Sequence, residues 1–205
     1  VVRVAVFVSG GGTNLQAIID AKSIRSAEIA LVVADNPNAF ALQRAATAGI
    51  PGIALRRGKP FNTAVLPHLQ SYKIDLIVLA GFLTIIDDVL IKAYPHRIMN
   101  VHPSLVPAFA GKGFYGLKVH AAALAKGVRY TGATVHFVTG EIDDGPIILQ
   151  KPVAVAPDDT PESLQQRVMK EAEWQILPQA IEMFASGKLR VEGKIVKLKQ
   201  KENWQ

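Results

Sequence analysis

The chain has 205 residues, of which 49% are hydrophobic and 20% charged, with a formal net charge of +6 and no cysteine. That size permits one large domain with a substantial core. The missing thiols exclude disulfides, thiolate nucleophiles and cysteine zinc sites and suit a reducing, cytoplasmic setting, and no apolar run approaches the roughly 18–20 residues that span a bilayer.

The opening run Val2–Ser9 is β-branched and leads straight into a glycine turn, so it reads as a buried first strand and not as a leader peptide. An amphipathic segment, Leu15–Ala21, follows. Then come the run Glu28–Ala34, the segment Ala39–Ala48, the run Gly52–Leu55 and the segment Phe61–Tyr72. The rhythm continues through the run Asp75–Ala80, the segment Asp87–Ala93, the run Ile98–His102 and the segment His120–Lys126, and ends on the runs Ala133–Val138 and Pro146–Val155. Continuous apolar runs separated by helical stretches predict an α/β fold with a mostly parallel sheet covered on both faces. A long helix over Thr160–Ser186 is expected next. Thr160 caps it, Pro161 stands in its first turn and Gly187 closes it.

The alternation from Leu189 to Lys199 predicts a hairpin over about 188–200 that turns at Gly193 on a sheet edge. Lys188, Arg190, Lys194, Lys197, Lys199 and Lys201 face only Glu192 and Glu202 here, so four of the six net positive charges lie in this tail. Edge lysines discourage sheet-to-sheet association, and the tail is read as a solvated edge in preference to a nucleic-acid surface. The whole chain, 1–205, is expected to form one domain.

In such sheets ligands bind beyond the carboxyl ends of the strands, and three groups of residues fall just after strand runs. The first is Gly10-Gly11-Gly12-Thr13-Asn14, between the first strand and the first helix. Its glycines let backbone N–H groups approach an anion at a helix N-terminus, which suggests phosphate binding. It lacks the Gly-Lys-Ser/Thr ending of a P-loop, and Leu15 stands where the third glycine of a dinucleotide fingerprint belongs.

The second group is Asn100-Val101-His102-Pro103. Two residues apart on an extended segment, Asn100 and His102 share a face. An amide donor beside an imidazole suits an acyl transfer, one holding a developing oxyanion and the other moving a proton near neutral pH. The third is Thr131–Pro146, a strand that runs into the acidic, glycine-bounded loop Gly140-Glu141-Ile142-Asp143-Asp144-Gly145, where Asp143 is a carboxylate able to orient an imidazole or accept a proton. With no cysteine and no His-Glu-x-x-His pattern, no metal is expected. His68 and His96 read as surface or packing residues.

Together these blocks resemble the phosphoribosylglycinamide formyltransferases, within the folate-dependent formyltransferase superfamily, in order and from Val2 to about Gly187. The resemblance implies a Rossmann-like formyltransferase fold with a mostly parallel seven-stranded sheet. It also implies formyl transfer from 10-formyltetrahydrofolate, as co-substrate, to the amine of glycinamide ribonucleotide in purine biosynthesis. Asn100, His102 and Asp143 take the catalytic positions. Gly10, Gly11, Gly12, Thr13, Asn14, Lys170 and Glu173 match the ribonucleotide site. Leu83, Thr84, Ile85 and Ile86, with Asn100, Gly140, Glu141 and Asp143, match the folate site. Many relatives carry arginine where Thr84 stands and histidine where Trp174 stands. The implied partners are small molecules, with no nucleic acid and no membrane, and the sequence sets no oligomeric state. A 10-formyltetrahydrofolate hydrolase or a non-catalytic nucleotide-binding module are the competing readings. The glycines of Gly111–Gly116 suggest a hinged loop over the site.

Overall fold

The computed structural model describes residues 1–199. All seven expected runs are strands: β1 (Val2–Val8), β2 (Ala27–Ala34), β3 (Gly52–Ala54), β4 (Leu76–Leu79), β5 (Ile98–His102), β6 (Tyr130–Phe137) and β7 (Ile147–Ala154). The expected hairpin supplies β8 (Leu189–Glu192) and β9 (Ile195–Leu198). It joins the same sheet, which therefore has nine strands and not seven, in the order β3-β2-β1-β4-β5-β6-β7-β9-β8. The reason is that β9 pairs in parallel with β7 through Ile147 and Ile195. A hairpin with one apolar edge had nothing in its own sequence to say which strand it would join. Lys201, Glu202, Trp204 and the far end of the expected hairpin lie outside the described residues.

From β3 to β5 the neighbours are parallel, whereas β6 runs antiparallel to both β5 and β7. The sheet's two faces carry separate apolar layers. On one face Val4, Val6, Val8, Val78, Met99, Val101, Val135 and Phe137 pack with Leu15 and Ile18 of α1 (Thr13–Asp20). The same layer takes Ala41 and Ala45 from α2 (Ala41–Thr47) and Ala123 from α5 (Leu117–Lys126). On the other face Phe7, Leu31, Val33, Ile77, Leu79 and Ile98 meet Phe61, Val65 and Leu69 of α3 (Pro60–Ser71) and Leu90 of α4 (Asp88–Ala93). Both faces of the central strands are dry, which is why their sequences are continuous apolar runs with no alternation.

The long helix expected over Thr160–Ser186 is divided. Thr160 Oγ1 accepts the Ser163 N–H at 3.2 Å and Ser163 Oγ accepts the Thr160 N–H at 2.9 Å, a reciprocal cap on α6 (Pro161–Val168). A π turn, Met169–Glu173, then separates α6 from α7 (Trp174–Ala185). Pro178 in α7 has no N–H for the carbonyl four residues back, and the helix widens just ahead of it. The apolar residues of α6 and α7, among them Leu164, Val168, Ile176, Leu177, Ala180 and Ile181, belong to the first layer. Among the described residues no helix is long and apolar enough to cross a membrane.

Candidate active site

Antiparallel pairing sets Asn100 opposite His136 and His102 opposite Thr134. Directly opposed residues project from the same face of a sheet, so these four polar side chains form one patch where the second apolar layer stops at Ile98. Three of them are buried, with His102 4%, Thr134 0% and His136 2% exposed. The β6–β7 connection folds over the patch and brings in Asp143, whose side chain is 9% exposed. Its Oδ2 lies 3.4 Å from His102 Nδ1 and accepts the Gly111 N–H at 2.9 Å, while its Oδ1 lies 3.4 Å from Asn100 Nδ2 and 3.5 Å from His136 Nε2. The amide, imidazole and carboxylate expected to converge are within reach of one another.

Local backbone explains how the loop achieves this. Asp143 is in the left-handed region, with φ 56°, a conformation in which aspartate is tolerated better than most residues. At Gly145 any Cβ would lie 1.7 Å from the Phe137 carbonyl oxygen, so only glycine permits the loop to cross back over the end of β6. The Gly111–Gly116 segment is tied to the site through the Gly111–Asp143 bond, and Phe109 and Phe114 stack edge to face beside it.

Hydrogen bonds fix the ring roles. His102 Nε2 faces the Phe109 carbonyl at 2.9 Å and its Nδ1 faces Asp143, so both nitrogens meet acceptors and a doubly protonated ring donates to each. His136 Nδ1 lies 2.9 Å from the Phe137 carbonyl and is the donor there. Its Nε2 then accepts from Asn100 Nδ2 at 3.2 Å when the ring is neutral and turns its proton to Asp143 when charged. Burial pushes the Asp143 carboxyl upward. The His136 hydrogen bond, the His102 charge, the Gly111 N–H and the His136 charge outweigh burial and hold it below the ordinary carboxylate range. Sequence reasoning did not single out His136, because in a buried strand it is one more alternating position. Behind the patch, His120 of α5 is fully buried with no hydrogen-bond partner among the described residues. Burial, aided by the His102 charge, lowers it to about 4 and keeps it neutral.

The glycine loop turns its carbonyls inward and leaves backbone donors over. Gly12 caps α1 with φ 70°, and a Cβ there would meet Ala41 Cβ at 2.6 Å. The carbonyls of Gly10, Gly11 and Gly12 are taken by Ala41 N–H at 3.1 Å, Arg44 Nε at 2.8 Å and Gln16 N–H at 2.9 Å. Among the described residues nothing accepts from the backbone N–H groups of Gly11 to Asn14, so the donors are left over. Arg44, which the sequence reading missed, adds positive charge behind them. Asn14 Nδ2 donates to Glu173 Oε2 at 2.7 Å, and its buried Oδ1 has no hydrogen-bond partner among the described residues.

Glu173 is 5% exposed at the end of the π turn, and burial, partly offset by the Asn14 hydrogen bond, raises it to about 7. Lys170 on the same turn is exposed; its carbonyl accepts from Gln175 Nε2 at 3.2 Å, and among the described residues its ammonium makes no hydrogen bond or ion pair to Glu173 or the glycine loop. Leu83 and Ile85 are 53% and 70% exposed, an apolar lip, whereas Thr84 and Ile86 turn inward. This lip is held by Ser9 Oγ accepting the Leu83 N–H at 2.8 Å and by buried Asn62 donating to the Ile85 carbonyl at 3.0 Å. Gly140 and Glu141 are exposed on the other side of Asp143, with Gly140 near Asp88 of α4. Among the described residues no three His, Asp or Glu side chains are grouped to hold a metal ion.

Comparison with known proteins bears on this geometry. The chain is 41% identical over 82% of its length to a chloroplastic phosphoribosylglycinamide formyltransferase of Arabidopsis thaliana, and it spans 61% of that protein. It is 39% identical to phosphoribosylglycinamide formyltransferase of Haemophilus influenzae, covering 96% of this chain and 93% of the relative. The solved structure of glycinamide ribonucleotide transformylase 1 from Symbiobacterium toebii superposes with a TM-score of 0.90 at 40% identity, over 97% of this chain and 94% of that one. Residues 2–181, which include the glycine loop, the polar patch and the π turn, match the family model described as formyl transferase; the chain belongs to the formyl transferase family.

Proposed function

We propose that the protein transfers the formyl group of 10-formyltetrahydrofolate to the primary amine of glycinamide ribonucleotide, the activity named for its relatives. The observation that carries this reading is the Asp143 carboxylate bridging Asn100 and His102, beside a run of unpaired backbone N–H groups suited to a phosphate. The ribonucleotide phosphate sits on the Gly10–Thr13 loop and its sugar reaches Glu173. The folate lies against the Leu83–Ile86 lip and the Gly140–Asp143 loop. The single unit expected over 1–205 and a cytoplasmic setting belong to the same proposal, supported by one continuous sheet and by the lack of cysteine.

The amine nitrogen attacks the formyl carbon, and the carbonyl π pair moves onto oxygen. To donate to that oxyanion, protonated His102 exchanges its Nε2–H bond to the Phe109 carbonyl, and Asn100 exchanges its long 3.4 Å Nδ2–H contact with Asp143, for the new acceptor. On collapse the bond from carbon to folate N10 breaks, and the proton lost by the amine passes by way of His102 and Asp143 to N10. Each oxyanion donor is worth about 3 kcal/mol of the barrier, and general acid–base help about 10²–10⁴ in rate. The test follows folate absorbance with and without glycinamide ribonucleotide. Loss that needs the amine is expected. Equal loss without it marks a hydrolase, and no loss marks a non-catalytic module; either outcome refutes the proposal.

A further inference from the structure

The turn of the β8–β9 hairpin lies against the loop that carries Asp143. Gly193, with φ 60°, and Lys194 form this two-residue turn, and glycine at its first position suits a tight hairpin. Leu189, Val191 and Val196 pack on the first apolar layer, so the hairpin is docked on the body of the protein. Its one acidic residue, Glu192, is occupied by Arg190 Nε at 3.0 Å and by Lys197. Lys194 instead reaches away from the hairpin, and its Nζ donates to Asp144 Oδ2 at 2.7 Å. The pairing of Ile195 with Ile147 explains the approach, because these residues follow Lys194 by one position and Asp144 by three.

Asp144 directly follows the carboxylate that bridges the polar patch. From Thr139 to Gly145 no residue takes part in a backbone–backbone hydrogen bond among the described residues. Side chains therefore hold this loop. Thr139 Oγ1 reaches the Glu141 carbonyl at 3.4 Å within it, and Asp143 bonds into the patch and to the Gly111 N–H. Among the described residues, the Asp144–Lys194 pair is the one side-chain bond that ties the loop to structure outside the site. It also steadies a strained neighbour, since Asp143 keeps φ 56°. The Asp144 bond and charge, with the Glu141 charge added, raise the pKa of the ammonium, which stays protonated at neutral pH. An exposed ion pair adds little to overall stability. A small displacement of a catalytic group, by contrast, is costly in rate.

On the reading that this site transfers a formyl group, we propose that Lys194 is a positioning residue that acts through Asp144 to hold Asp143 in register with His102. The test compares wild type, Lys194→Met, Asp144→Asn, the two changes together, and the reversed pair Asp144→Lys with Lys194→Asp. Two quantities are read. Folate absorbance gives kcat and the KM for glycinamide ribonucleotide. Amide exchange by nuclear magnetic resonance follows Gly111 N–H, which donates to Asp143, and Phe137 N–H, which donates to the Pro146 carbonyl at the foot of the loop.

Each single change is expected to lower kcat about two- to fivefold, the range open to an exposed ion pair, with the KM for glycinamide ribonucleotide as in wild type. The combined variant loses no more than either single one, because both remove the same bond, and the reversed pair recovers most of the loss. Exchange at Gly111 and Phe137 quickens in the single variants by a similar factor and slows again in the reversed pair. Unchanged kcat in Lys194→Met, losses that multiply in the combined variant, or a reversed pair as slow as the single ones overturns the proposal. Should the wild type transfer no formyl group, the proposed function fails by itself. The exchange rates then still decide whether the pair holds the loop, and rates equal to wild type refute it.

Discussion

Replacing Glu173 by glutamine isolates one buried proton. In the folded chain the carboxyl is 5% exposed and its hydrogen bond comes from Asn14 Nδ2 at 2.7 Å, so burial lifts it from an ordinary 4.5 to about 7. In the unfolded chain it titrates near the ordinary value. Between the two the folded state holds a proton that the unfolded state has lost, so stability must fall as pH rises through this window. The stabilisation is complete below about 4.5 and gone above about 7, a total of about 3 kcal/mol at 1.36 kcal/mol per pH unit. Glutamine keeps the shape and an oxygen facing Asn14 but never ionises. Urea unfolding of both proteins from pH 4.5 to 8, read by tryptophan fluorescence and circular dichroism together, measures the difference directly. Groups common to both cancel. The glutamine variant is expected to gain about 3 kcal/mol relative to wild type by pH 7 and no more beyond it, a large share of a total stability of about 5–15 kcal/mol. Parallel pH profiles refute the argument and mean that Glu173 is ionised when folded.

Three further outcomes follow from the site. Asp143→Asn removes the charge that faces His102, and kcat is expected to drop about 10²–10⁴-fold with folding intact by circular dichroism; near-normal turnover with transfer as the slow step removes Asp143 from the mechanism. Gly145→Ala forces a Cβ onto the Phe137 carbonyl and must displace the loop that carries Asp143, at a cost of about 1–3 kcal/mol together with loss of turnover, whereas Gly10→Ala meets nothing within 4 Å and keeps the wild-type melting temperature. Thr134→Val deletes the hydroxyl that donates to the Ser104 carbonyl at 2.6 Å and accepts from Val106 N–H and Gln150 Nε2, each at 3.0 Å. A loss of about 1–3 kcal/mol in urea unfolding is expected, and no loss means those partners find water.

The strands were legible because β1, β2 and β4 are buried on both faces, and residues such as Val4–Val8 and Leu31–Ala34 admit no polar interruption. Asn100 and His102 were legible for the opposite reason, as polar residues at the end of such a run. The π turn was not, because the apolar positions Leu164, Val168 and Ala172 keep helical spacing into it and the widening comes from backbone bonding. Nor was the Lys194–Asp144 pair: its members lie 50 residues apart, and only the joining of β9 to β7 brings them together. The inward turn of Asn14 escaped notice likewise, since its partner is 159 residues distant.

The pairing of β6 with β5 has a consequence for how errors in assembly are punished. On β6 the residues facing the patch, Thr134 and His136, alternate with Val135 and Phe137, which fill the dry layer behind the sheet. A slip by one residue exchanges the two sets, thrusting an imidazole and a hydroxyl into hydrocarbon while stranding a valine and a phenylalanine beneath Asp143. Misalignment severe enough to dismantle the chemistry is thereby also too costly to persist, so the interior proofreads the catalyst.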